Sequence, residues 1–201
     1  AQDTAFGGHV LATFSRTSSA PLTMSATDSL RQMLQNGISY LTFFGHSNTQ
    51  GFDVGVDQPS DWNNIHRYPF VTGFGCSSGE MFTNYMGVGE KFVFSDMEGA
   101  IGFIGENTSG YISTLGAFGN FFYNNFSNTH YHQGIGKSVQ ATLAACFDPN
   151  DLLLRQTFLS MNLQCDPAVV INSMDKPDLQ VTAQDIYFSP DPVTTDQSSF
   201  T

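Results

Sequence analysis

His46 and Cys76 are the residues of this chain whose types and placement could do covalent chemistry. Each stands directly after a glycine that closes a short apolar run: "YLTFFGHS" reaches Gly45-His46, and "YPFVTGFGCSSGE" reaches Gly75-Cys76. A thiol attacks a carbonyl as thiolate, and a nearby imidazole both favours that anion and protonates the leaving amine. Taken singly, a cysteine is most often a small buried hydrophobe, and a histidine after a strand is most often a loop residue. Two matched tips on successive apolar runs, 76 − 46 = 30 positions apart, fit a nucleophile and its acid/base instead. Backbone N–H groups of Cys76 and Ser47, where the chain turns, could supply donors to an oxyanion.

Chemistry of this kind needs strands that end side by side. "MSATDSLRQMLQNG" predicts a helix: Ser25 can cap it, Leu30, Met33 and Leu34 share a face, and Asn36-Gly37 stops it. Ile38 to Phe44, Pro69 to Phe74 and Ala100 to Gly105 then read as buried strands. Helical segments are expected over Val88 to Phe94, Leu115 to Phe126, Ile135 to Cys146 and Leu152 to Met161. Strands alternating with helices give an α/β fold with a largely parallel sheet. The stretch after His46 is long enough for the crossover that a parallel pair requires. In an open parallel sheet, ligands bind beyond the carboxyl ends of the strands, where His46, Cys76 and also Glu106 fall, each behind a glycine.

The 201 residues hold 7 Lys plus Arg against 18 Asp plus Glu, a net charge of −11, with 40% hydrophobic content. That is a globular composition. So few cations neutralise little phosphate charge, which excludes nucleic acid as a partner. Few lysines among abundant Asn, Ser, Thr, Gly and Phe fit a secreted or cell-surface protein. No apolar run spans a bilayer. The N-terminus has neither a basic n-region nor an h-region, and the chain reads as a segment of a longer protein. Cys76, Cys146 and Cys165 are odd in number. Either Cys146 and Cys165 pair and leave Cys76 over, or all three are free.

"GISYLTFFGHS", "PFVTGFGCSSGEMF", "FSDMEGAIGFIGENTSGY" and "LQCDPAVVI", in this order and spacing, resemble the gingipain-like cysteine peptidases. That group includes the signal peptidase and sortase-like component of type IX secretion. The resemblance covers about residues 10–172. It implies a caspase-like three-layer α/β sandwich with a mostly parallel sheet, truncated at its N-terminal side. It also implies cleavage or transpeptidation of peptide bonds at the bacterial surface or outside the cell. Carried over by motif, Cys76 is the nucleophile and His46 the general acid/base. Ser47 takes the place of a family glycine whose N–H faces the oxyanion. Tyr111 aligns with an aromatic residue lining the substrate pocket, so Glu106, Asn107, Thr108 and Tyr111 form the expected specificity wall. Cys165 stands in a Gly-Asp-Pro turn position, a structural place. The carboxylate that orients the family's histidine lies upstream, and no residue here is assigned to it.

The expected organisation is a partial peptidase domain over residues 1–172. A linker and the truncated start of an immunoglobulin-like β domain follow over 173–201, where "KPDLQVTAQDIYFSPDP" alternates at a period of two. The expected partner is a protein or peptide substrate, with outer-membrane secretion machinery as a further partner of such a peptidase. No cofactor and no metal are expected. His130 and His132 lack a ligand partner at zinc spacing, and Asp53, Asp57 and Asp61 lack the calcium-loop pattern. The alternative to a peptidase is a catalytically silent binding or adhesion module on the same fold.

Overall fold

The computed structural model describes residues 4–15, 24–53 and 58–171. Helix α1 runs Met24–Asn36, starting one residue before the expected Ser25 cap. It buries Leu30 and Leu34, one turn apart on the same face. Gly37, at φ +93°, ends it in the left-handed conformation that glycine adopts freely.

The chain then builds β1 (Tyr40–Phe44), a small hairpin of β2 (Ser47–Asn48) and β3 (Gly51–Phe52), a 3-10 turn at Pro59–Asp61, and β4 (Phe70–Phe74). Helix α2 (Val88–Val93), β5 (Gly102–Glu106), α3 (Ile112–Asn124) with a π-helical turn at Asn125–Thr129, α4 (Ile135–Cys146), α5 (Leu152–Ser160) and β6 (Met161–Gln164) follow. The main sheet has the order β1-β4-β5-β6. β1, β4 and β5 are parallel, and β6 returns antiparallel to β5. The mixed α/β architecture with a mostly parallel sheet is the one expected.

Three details differ from expectation. β6 escapes a reading by pattern, because "MNLQ" is short and half polar and owes its conformation to pairing with β5. Among the described residues, the link from β1 to β4 carries the β2–β3 hairpin and a 3-10 turn, not a helix. β1 is partly exposed because it forms one edge of the described sheet. Residues 173–201, with the expected β domain, lie outside the described residues.

Every residue of β4 and β5 is buried, as apolar strands covered on both faces should be. One face meets α3 to α5. There Phe118, Phe122 and Phe126 repeat every fourth residue and pack on Phe70, Phe74 and Ile104. The other face meets α1 and α2 through Leu34, Trp62, Val88, Phe92 and Phe103. Helices on both sides of one sheet make the three layers. Asn64 closes the second layer with buried bonds to Gly99: its Nδ2 donates to the Gly99 carbonyl at 2.8 Å, and Gly99 N–H donates back to Oδ1 at 3.0 Å. Among the described residues no helix is long and apolar enough to cross a membrane.

Candidate active site

The register of β1 on β4 pairs Tyr40 with Phe70 and Phe44 with Phe74. Continuing that thirty-residue offset sets Gly45 beside Gly75. The tips touch directly: Gly45 N–H donates to the Phe74 carbonyl at 3.1 Å, and Ser47 Oγ donates to the Cys76 carbonyl at 2.8 Å. A Cβ on Gly75 would collide with Ser47 Oγ and the Gly45 carbonyl, so only glycine lets the two strand ends close this far.

After Cys76 the chain turns over the sheet edge, with Ser77 at φ +52°. Ser77 N–H donates to the Thr108 carbonyl at 2.7 Å, and Gly79 N–H to the Glu106 carbonyl at 2.8 Å. Ser78 Oγ donates to the Gly73 carbonyl at 2.5 Å and accepts from Glu106 N–H at 3.3 Å. The Gly79 carbonyl accepts from Asn162 Nδ2 at 3.2 Å and Gln164 Nε2 at 2.9 Å. The nucleophile's turn is thereby fastened to the ends of both β5 and β6. Small residues fill "CSSG" because the Gly105 backbone leaves no room for a side chain at Gly79.

The Cys76 thiol is half-buried and faces Gly110. Gly110 N–H donates to Sγ at 3.4 Å, and its carbonyl lies 3.7 Å from the sulfur. His46 is exposed at the mouth, and its carbonyl accepts from Asp53 N–H at 3.0 Å. The Asp53 carboxylate turns back toward the same tip, with Oδ1 3.7 Å from where a Gly45 Cβ would stand. Ser47 sits in β2 without a positive φ, a backbone conformation that serine adopts without strain.

The expected wall divides. Tyr111 is exposed and caps α3 at its N-terminus, and Thr108 is exposed beside it. Asn107 is half-buried, its N–H bonded to the Ser160 carbonyl at 2.8 Å. Glu106 departs from expectation: its side chain is 0% exposed, so it lies behind the wall, not on it. Its alternation along β5 turns it into the helical layer, where Oε1 accepts from Thr108 Oγ1 at 3.1 Å and from Ser160 Oγ. Among the described residues Oε2 has no hydrogen-bond partner. Burial pushes this carboxyl up to about 7, against the lowering pull of the Ser160 and Thr108 hydroxyls.

Cys165 is free. Burial and the adjacent Asp166 charge push its thiol up to about 11, which keeps it protonated and unreactive at neutral pH. Among the described residues no group of His, Cys, Asp and Glu is placed to hold a metal ion.

The sequence reading missed two contributors. One is Gly110, whose N–H reaches the sulfur only through the fold. The other is a cavity of about 160 Å³ that starts beside the tips and runs between β1, the end of β4 and the length of α3 from Leu115 to Tyr123, lined by Phe44, Phe74, Leu115 and Gly116 among others. The available signal was a phenylalanine immediately before each glycine tip. A larger, open, polar hollow of about 330 Å³ lies at the β2–β3 hairpin and Lys91.

Residues 2–172 match peptidase family C25. No curated protein is similar enough to the chain to count as a relative. Among solved structures, the complex of Porphyromonas gingivalis RgpB pro- and mature domains is similar at TM-score 0.65 and 13% identity, covering 72% of this chain and 37% of that one. The Arg-specific cysteine proteinase gingipain R (RgpB) is similar at TM-score 0.59 and 13% identity, covering 72% and 36%. A structure described as a protease is similar at TM-score 0.56 and 14% identity, covering 69% and 36%. The chain thus spans little more than a third of the length of the first two, and identity at this level speaks to fold.

Proposed function

Because the chain belongs to peptidase family C25, we propose that it carries the nucleophile and acid/base of a cysteine endopeptidase, Cys76 and His46, acting at the bacterial surface or outside the cell. The observation that carries this reading is the register of β1 on β4, which sets the two Gly-initiated tips side by side. The Cys76 thiolate adds to the substrate carbonyl, and backbone N–H groups at Cys76 and Ser47 receive the developing oxyanion. The C–N bond breaks as His46 gives its proton to the leaving amine. An acyl thioester remains on Cys76. Water, deprotonated by His46, then releases the acid and restores the thiol.

An amine in place of water would give transpeptidation, the sortase-like form of the same chemistry. The role of secretion signal peptidase, with a secretion machinery as partner, rests on the gingipain-type resemblance of the motifs. The acidic, lysine-poor composition supports action outside the cell. In this reading Tyr111 and Thr108, both exposed, are the residues that meet substrate. The arginine specificity in one structural neighbour's description is not carried over to this chain.

The test is peptide hydrolysis by the full-length protein, with mass spectrometry of the acyl-enzyme. Expected are a thioester adduct on Cys76, its loss in Cys76→Ala, and a fall in kcat/KM of about 10²–10⁴-fold in His46→Ala. An inert Cys76 and unchanged peptide binding in both variants would leave a binding module in place of a peptidase. Adding a primary amine separates the two acceptors: an amide product identifies the transpeptidase.

A further inference from the structure

We propose that the cavity beside the tips is the specificity pocket of this site and takes an apolar side chain of leucine, methionine or phenylalanine size from the acyl side of the scissile bond. The inference rests on the peptidase reading above and names its substrate class. Continuity with the tips places the cavity. Phe44 directly precedes Gly45-His46, and Phe74 directly precedes Gly75-Cys76. Leu115 underlies Gly110, where an added Cβ would meet Leu115 Cδ1 at 2.5 Å, and Gly110 in turn touches the sulfur. An acyl group on Cys76 therefore has this hollow next to it.

The lining decides the chemistry. Phe44, Phe74 and Leu115 are apolar, while the hydroxyls of Thr42 and Tyr123 already bond each other at 2.7 Å. Among the described residues the lining carries no carboxylate. Glu80, the carboxylate of the turn after Cys76, instead accepts from Phe82 N–H at 2.8 Å. The volume of about 160 Å³ is close to the ~150 Å³ of an apolar cavity that holds benzene. The segments that follow Cys76 and Gly110 continue the theme: Phe82 is 75% and Ile112 77% exposed, with Tyr85, Met86 and Tyr111 also open.

The larger hairpin hollow is a weaker candidate. It is polar and open, and its Lys91 Nζ already donates to the Gln50 carbonyl at 3.0 Å.

Gly116 makes the proposal testable. A Cβ there would meet nothing within 4 Å, so a side chain can be started at this lining position without a backbone clash and takes up cavity space as it lengthens. The experiment measures inactivation of the full-length protein by peptidyl acyloxymethyl ketones bearing Leu, Phe or Arg next to the warhead. Each rate is divided by the iodoacetamide rate of the same protein, so that thiol reactivity and pocket fit are read separately. The Leu or Phe reagent should be favoured over Arg by at least about tenfold, within the ~10–200-fold that hydrophobic pockets discriminate. Gly116→Leu should reduce that preference to less than about threefold. Asn120→Asp, which puts a charge at the lining, should raise the relative Arg rate about tenfold. Equal or faster reaction with Arg in the unaltered protein, or a preference that Gly116→Leu leaves unchanged, overturns the pocket assignment while fast iodoacetamide reaction keeps the dyad. Sluggish Cys76 with iodoacetamide and with every ketone removes the peptidase reading and this inference with it.

Discussion

Replacing Glu106 by glutamine should stabilise the protein at neutral and alkaline pH and have little such effect in acid. Glu106 is fully buried at the end of β5, with hydroxyls of Thr108 and Ser160 on Oε1 and, among the described residues, no hydrogen-bond partner on Oε2. Burial dominates and raises its carboxyl from 4.5 to about 7. The sign is therefore opposite to that of an ion-paired carboxylate. Below about pH 4.5 the side chain is protonated folded and unfolded, and no penalty exists. Between about 4.5 and 7 the unfolded chain ionises while the folded one keeps its proton, so stability falls as pH rises. Above about 7 both forms are ionised and the full penalty is present. At about 1.4 kcal/mol per pH unit, the interval corresponds to about 3 kcal/mol. Glutamine stays neutral and still offers Oε1 to both hydroxyls. The stability difference between variant and parent should therefore grow by about 3 kcal/mol from pH 4.5 to 7.5. In a domain of this size that corresponds to roughly 6–12 °C in Tm. Urea or thermal unfolding of both proteins at intervals of half a pH unit measures it. Because every other titrating group cancels in the difference, parallel curves would refute the reasoning.

Other perturbations follow from the same geometry. Ser47→Ala removes the hydroxyl that bridges to the Cys76 carbonyl and should cost about 0.5–1.5 kcal/mol in denaturant unfolding, with a larger drop in kcat than change in KM. Phe118→Ala empties a fully buried site between α3 and the sheet and should cost about 3–5 kcal/mol by the same measurement. At pH 7 iodoacetamide should modify Cys76 and spare Cys165, whose thiol is held up to about 11; peptide mapping by mass spectrometry reads both at once.

Much of the frame was legible because it is local. The run from Leu30 to Gly37 contains its own apolar face and its own stop, and the Phe118-Phe122-Phe126 repeat marks the helix surface that meets the sheet. The strand tips at Gly45 and Gly75 could be read because an apolar run followed by glycine and a reactive side chain is a short-range pattern. Glu106 was legible as a tip residue, but its direction was not. Whether a residue just past a glycine points to solvent or into a helical layer depends on the face of β5 it occupies and on Ser160, fifty-four residues later.

The sequence by itself determined the residue types at the tips, the glycines that permit close approach, and the alternation of strands and helices, since these rest on steric and periodic preferences of neighbouring residues. Only the tertiary structure decided the register that brings the ends of β1 and β4 together, the Gly110 N–H at the sulfur, the antiparallel return of β6 and the apolar cavity next to the tips. Each of those depends on groups brought together from distant parts of the chain, and their separation in space is set by packing, which no short stretch encodes.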